Sequence, residues 1–241
     1  MDGNFIFEME NFIPKELCDD IIQRFENDPK KVQSAIKDTN KVVLDLERRN
    51  SFHLNVKDMN NSSHIEDNLK CKLKDAINIY KREFCNYFKR YNENPKFINH
   101  TLFSHRPFEI SDFDVQRVTP ESHQRWHSDE GTNYAHTCII YLNDLDMTDG
   151  GATEFACGRK VQPKAGKILI FPGGWSNVHR GCFVHKHKYM ITIPTRFIQQ
   201  AGYPFIVSPR IQETPIYLAS NHESKPNRDS QNSTLVKVPE S

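Results

Sequence analysis

Two candidate metal ligands stand two residues apart, His127 and Asp129 in the run Trp126-His127-Ser128-Asp129-Glu130-Gly131, and a third, His179, follows far downstream. No other feature constrains the fold as tightly. Side chains alternate across a strand, so residues at i and i+2 point the same way and can reach one ion from the end of a single strand. His179 then has to arrive on another strand, which calls for a β-structure that gathers distant strand ends. Two imidazoles and one carboxylate form the donor set of the facial triad that holds non-haem Fe(II) and leaves coordination positions open. Alone the triplet is weak, because a chain with 11 His and 31 acidic residues yields such spacings by chance. The competing readings are a surface loop pair for His127 and Asp129, and a core histidine donating to a carbonyl for His179.

The second half of the chain offers the strands this requires. Short β-rich runs recur at 97–104, 112–118, 136–142, 167–171 and 187–193, separated by Gly, Pro, Asn and Asp turns. Gly150-Gly151 predicts a tight turn at positive φ that lets Thr153 and Phe155 point inward. The first half reads differently. Residues 4–10 suit an edge strand, and Pro14 opens a helix through about Phe25, since proline at the first helical position forfeits no hydrogen bond. Residues 29–62 are polar and mixed, with a short strand near His53 and Leu54. Ser63-His64-Ile65-Glu66 has the form of a capping box. Apolar residues at 65, 69, 73, 76, 77, 80, 84, 88 and 91 then define the buried stripe of one long helix ending near Tyr91. That stripe is a packing surface, a buttress for a sheet. Helices followed by strands give an α+β class. Three regions follow: 1–95, a helical support integral to the fold; 96–200, the core that carries the ligands; and 201–241, a packing segment near Tyr203 to Tyr217 and then a disordered tail.

Around the candidate ligands a longer pattern runs in order. It comprises Thr137-Cys138-Ile139-Ile140-Tyr141-Leu142-Asn143, Gly150-Gly151-Ala152-Thr153-Glu154-Phe155, Val161 through Phe171, His179-Arg180-Gly181, and Lys188-Tyr189-Met190-Ile191-Thr192. This series resembles the prolyl 4-hydroxylase-like branch of the Fe(II)/2-oxoglutarate dioxygenases over residues 112–197, with a looser likeness in Phe12 to Cys18. Several landmarks in order are far more specific than any one of them.

The resemblance implies a double-stranded β-helix, a jelly-roll barrel buttressed by N-terminal helices, with the metal in its mouth. It implies Fe(II) on His127, Asp129 and His179, with 2-oxoglutarate and O2 at the open positions, and hydroxylation of an unactivated C–H bond with release of succinate and CO2. Ascorbate is implied as the family's reductant. The cosubstrate's far carboxylate needs a cation deep in the barrel, and Lys188 is the candidate, because a buried ammonium becomes acceptable when a carboxylate pairs with it. Its alternative is a surface strand lysine. Lys188 and Thr192 are four apart and share a strand face, and Tyr141 stands where the family often places a tyrosine in the same anchor. Arg117, Trp126, Trp175 and Arg196 suit either a substrate groove or rim packing, while His123 and His136 fall outside the pattern.

Composition narrows the partners. A net charge of +1 gives no electrostatic reason to expect nucleic acid or an anionic membrane. The apolar runs are strand-sized, well below the roughly 20 residues of a membrane span, and the start lacks the form of a secretory signal. Six cysteines without a CxxC pair suit reduced thiols and a cytoplasmic setting. The expected substrate is a prolyl residue in a peptide or protein. Val118 stands where prolyl hydroxylases often carry a tyrosine, and Pro194 where an aromatic residue is frequent, so hydroxylation of a free amino acid or small metabolite is the rival. A metal-binding or peptide-binding module without turnover is the reading from another class. Asp129 argues against halogenation, which needs the carboxylate position vacated.

Overall fold

The computed structural model describes residues 3–34, 36–38, 41–43, 50–100, 107–129 and 134–198. In chain order these form β1 (Phe7–Met9), α1 (Lys15–Asn27), β2 (Val32–Gln33), β3 (Ile36–Asp38), β4 (Lys41–Val43), β5 (Ser51–Asn55), α2 (Ser63–Tyr87), α3 (Pro95–Asn99), β6 (Phe108–Ile110), β7 (Asp114–Val118), β8 (Ser122–His127), β9 (Tyr134–Tyr141), β10 (Thr153–Phe155), β11 (Lys160–Val161), β12 (Ile168–Pro172), β13 (His179–Val184) and β14 (Lys188–Phe197). An eight-stranded sheet runs in the order β1-β12-β9-β14-β7-β5-β2, with β6 also paired to β14. A four-stranded sheet runs β11-β10-β13-β8, and β3 and β4 form a small hairpin pair. Neighbours are antiparallel in both larger sheets, the arrangement of a jelly roll, and no ladder among the described strands closes the two sheets into one barrel.

The central strands are buried on both faces, which explains why they read as continuous apolar runs. On β9, β12 and β14, Cys138, Ile140, Ile168, Ile170, Ile191 and Ile193 face one core, together with Cys18, Ile21 and Phe25 of α1 and Leu69, Leu73, Ile77 and Tyr80 of α2. The alternate residues Ile139, Tyr141, Leu169, Phe171 and Met190 face the other, packed against Phe155 and Val161 of the smaller sheet. The two-residue period thus divides one strand between the helix-facing core and the space between the two sheets. At roughly 25 cal/mol per Å2 of apolar surface, both cores contribute heavily to folding. Arg117 and Tyr189 both bond Glu26, at 2.8 and 2.9 Å, and so tie α1 to the sheet.

Several expectations change. The Ser63 capping box does not form: Ser62 is the N-cap, and its hydroxyl is drawn to the carbonyls of Val56 and Met59 instead of the helix amides. Glu66 pairs with Lys70 one turn on, at 2.6 Å. The α-helix stops at Tyr87, and a tighter 3-10 turn over Phe88–Tyr91 ends at Asn92, whose φ is 60°; Tyr91, expected on the buried stripe, is exposed. Residues expected to begin a strand at Phe97 are helical, because Asn94 caps Lys96 N at 2.9 Å and Pro95 presets the first turn. Pro14 is itself the extended N-cap of α1 and not its first residue. Gly150 and Gly151 both adopt φ of 72° as expected, and a Cβ on Gly150 would lie 2.2 Å from Phe183 O. The strand expected over 101–104 and the segment 201–241 lie outside the described residues. No helix among the described residues is long and apolar enough to cross a membrane.

Candidate metal centre

The three ligand candidates meet at one end of the inter-sheet space. β8 and β13 pair with His127 directly opposite His179, and their ring centroids are 4.3 Å apart. The expectation that His127 and Asp129 share one strand needs adjustment, since β8 stops at His127 and Asp129 follows just beyond it. Asp129 Oδ1 lies 3.7 Å from His127 Nε2, and Oδ2 lies 3.7 Å from His179 Nε2. All the candidate ligating atoms fall within 4.8 Å of one another.

Each imidazole is held by its far nitrogen. His127 Nδ1 lies 2.9 Å from Arg125 O, and His179 Nδ1 lies 3.0 Å from Asn177 O. A carbonyl only accepts, so Nδ1 carries the proton in both rings and the Nε2 lone pairs remain for a metal. Thr137 on β9 donates to Asp129 Oδ2 at 2.6 Å and orients the carboxylate. Burial, helped by the neighbouring His127, holds His179 below the usual histidine range against the opposing pull of Asp129. The ring therefore stays neutral, the form that ligates. Two imidazole nitrogens and one carboxylate oxygen on the rim of a chamber with room beside them fit Fe(II).

That chamber has a volume of about 220 Å3. Along β14 the alternate residues Lys188, Met190, Thr192 and Pro194 form one of its walls. Lys188 is only 3% exposed. Among the described residues its Nζ has no ion-pair partner, and it lies 5.4 Å from the ring centroid of Tyr141. Burial pulls the pKa of this ammonium down to about 8, so near neutral pH the chamber carries a cation with no ion pair among the described residues. Tyr141 is fully buried, and its hydroxyl donates to Thr153 Oγ1 at 2.8 Å; Thr153 in turn lines the chamber. Thr192 Oγ1 accepts from Gln116 Nε2 at 2.6 Å.

Thr153 points into the chamber as expected, whereas Gln116, Gln124 and Thr137 were not singled out by the sequence reading. Gln124 Nε2 lies 3.1 Å from His127 Nε2. The signal for Thr137 was its two-residue step from Ile139, and for Gln116 its pairing opposite Met190, which needs the register to be known. Val118 faces Lys188 across the ladder. Of the groove candidates, Arg117 is held by Glu26, Trp126 is stacked under Arg180, and Trp175 is exposed. Arg196 does line a second groove beside the chamber. His136 points the other way, into the helix-facing core against Tyr80 and Phe108.

Residues 113–196 match the 2OG-Fe(II) oxygenase superfamily. No curated protein matches the sequence. Among solved structures, the chain is similar to the viral collagen prolyl hydroxylase of Paramecium Bursaria Chlorella virus-1 in its 2OG complex, at a TM-score of 0.55 and 18% identity, covering 82% of this chain and 98% of that one. It is also similar to a Pseudomonas putida prolyl-4-hydroxylase, at 0.59 and 17%, covering 80% and 94%. A third is the Trichoplax adhaerens prolyl hydroxylase in complex with a hypoxia inducible factor peptide fragment, at 0.61 and 13%, covering 80% and 84%. At such identities the likeness establishes the fold, and function has to be argued from the site.

Proposed function

Because residues 113–196 match the 2OG-Fe(II) oxygenase superfamily, we propose that the chain is an Fe(II)- and 2-oxoglutarate-dependent dioxygenase that hydroxylates a prolyl residue of a peptide or protein, releasing succinate and CO2. In this reading residues 96–200 are the catalytic core and residues 1–95 its integral support. His127 Nε2, Asp129 and His179 Nε2 hold Fe(II), which when bound supplies oxygen activation coupled to oxidation of the keto acid. Lys188 takes the far carboxylate of 2-oxoglutarate, with Thr192 beside it and Tyr141 packed against the ammonium. Ascorbate as reductant and a cytoplasmic setting belong to the same proposal.

The observation that carries the reading is Lys188: a buried ammonium with no ion pair among the described residues, in the same chamber as the three ligand candidates. Burying an unpaired charge costs several kcal/mol, and a carboxylate ligand removes that cost. The chain's other contributions are positional. Asn177 O and Arg125 O fix the imidazole tautomers, Thr137 orients Asp129, and the apolar residues between the sheets limit water in the chamber.

The test follows succinate formation from 2-oxoglutarate in iron-reconstituted protein. His127→Ala, Asp129→Ala and His179→Ala should each abolish it and weaken metal binding, with the circular dichroism spectrum retained. Lys188→Ala should keep the metal but lose 2-oxoglutarate affinity by on the order of a hundredfold, the worth of a charge-assisted buried pair. An unchanged 2-oxoglutarate titration would remove Lys188 from the anchor. Oxygen added to proline in a varied peptide panel supports the prolyl assignment; turnover stimulated only by free amino acids rejects it.

A further inference from the structure

Beside the metal chamber, the same face of the larger sheet continues into an open groove of about 790 Å3. Thr192 and Pro194 line both spaces. The register explains the continuity. Alternate residues of β14 from Lys188 to Arg196 form one track; Thr192 lies opposite Asp114, Asp114 opposite Asn55, and Arg196 opposite Glu109. One face therefore runs from a closed end that carries a buried cation to an open end that carries carboxylates.

Among the described residues, four carboxylates line the groove, Asp58, Glu109, Asp112 and Asp114, against two permanent cations, Lys30 and Arg196. Asp112 is already paired, at 2.8 Å, with Lys57. Lys30 donates to the backbone carbonyl of Asp58, and the Arg196 guanidinium lies over the Tyr134 ring at 5.4 Å, so among the described residues neither cation bonds a groove carboxylate. Asp114 accepts from Gln116 at 2.9 Å and faces His53 Nδ1 at 3.2 Å. The exposed carboxylates of Asp58 and Glu109 have no ion pair among the described residues. Size matters as well as charge. The chamber of about 220 Å3 has to hold the cosubstrate and one substrate side chain, while the groove beside it is more than three times larger. That shape suits an extended chain lying outside with one residue inserted, and leaves most of the space unused by a free amino acid.

We propose that this groove carries the polypeptide flanking the oxidised residue, and that the segment it takes is basic at those flanking positions, with Glu109, Asp58 and Asp114 as the specificity-determining groups. The proposal rests on the dioxygenase reading above and names its substrate class.

The test uses fluorescence anisotropy with the full chain and three labelled peptides that share a central proline flanked by lysines, alanines or glutamates. The lysine peptide should bind roughly tenfold more tightly than the glutamate peptide at low salt, and added salt should shrink the difference. A chain carrying Asp58→Lys and Glu109→Lys should invert the order. Equal binding of the three, tighter binding of the glutamate peptide, no binding of any, or an order that survives the charge reversal overturns the proposal. Peptide-free succinate formation, measured in parallel, separates the two failures: turnover with the wrong peptide order rejects the groove, and the right order without turnover under any condition rejects the dioxygenase reading.

Discussion

His136 gives the helix-facing core a definite response to acid. The imidazole is 5% exposed, edge-on to Tyr80 and Phe108, with Nδ1 2.9 Å from Thr195 Oγ1. Burial, and to a lesser degree the charge of Lys81, lowers its pKa from 6.5 to about 4. The unfolded chain therefore binds this proton more readily than the folded one, and stability falls as pH drops through that window. At about 1.4 kcal/mol per pH unit, the full effect is roughly 3 kcal/mol, of which about 2 is lost by about pH 5. The contribution is fully present above the unfolded value and absent below the folded one. Urea unfolding of the wild type and of His136→Asn at about pH 7.5 and about pH 5 isolates the effect, because the other titrating groups cancel in the difference. His136→Asn should be less stable at the higher pH, where a cavity opens beside Tyr80, and its deficit should narrow by roughly 2 kcal/mol at the lower. Parallel stability profiles for the two proteins would refute the buried neutral imidazole.

Two further perturbations address the site and its scaffold. Thr137→Val removes the hydroxyl on Asp129 and should weaken Fe(II) binding by about tenfold to a hundredfold in a competitive chelator titration, with little change in melting temperature. Gly150→Ala should destabilise by at least about 3 kcal/mol in thermal unfolding, since φ is 72° and the new Cβ meets Phe183 O; Gly158→Ala, at φ of 88° with open space around it, should cost only about 1 kcal/mol. Equal losses for the two glycine variants would show that conformation, and not the close approach, sets the cost.

The elements that sequence foresaw are those whose physics is local and periodic. The stripe from Ile65 to Tyr80 is buried, and the runs around Ile140, Ile170 and Ile191 are strands because they are apolar on both faces. The meeting of His127, Asp129 and His179 followed from spacing together with a family pattern. What escaped depends on contacts remote in sequence. Nothing near Ser62 announces that its hydroxyl will turn to Val56 and Met59, and the short helix at Pro95 competes with an equally plausible strand until Asn94 caps it. Gln116 and Thr137 became chamber residues only through the ladder register, and Asp58, Glu109 and Asp114 come from three separate segments. A charge pattern assembled that way leaves no trace in the overall composition.

The order of the strands in space also shapes how the chain is made. β14, the last strand among the described residues, lies between β9 and β7 at the middle of the larger sheet. A nascent chain can therefore pair β9 with β12 and β5 with β7 while the gap between those two blocks stays open, with apolar edges on both sides. The sheet becomes continuous only when residues 188–197 insert, and the same insertion brings Lys188, Thr192 and Pro194 to the chamber wall. Completion of the scaffold and completion of the pocket are thus one late, long-range event, of the kind that folds slowly and exposes sticky intermediates. Chains stopped short of Lys188 should accumulate as aggregation-prone halves that lack one wall of the chamber, which makes the insertion of β14 the step on which both the sheet and the pocket depend.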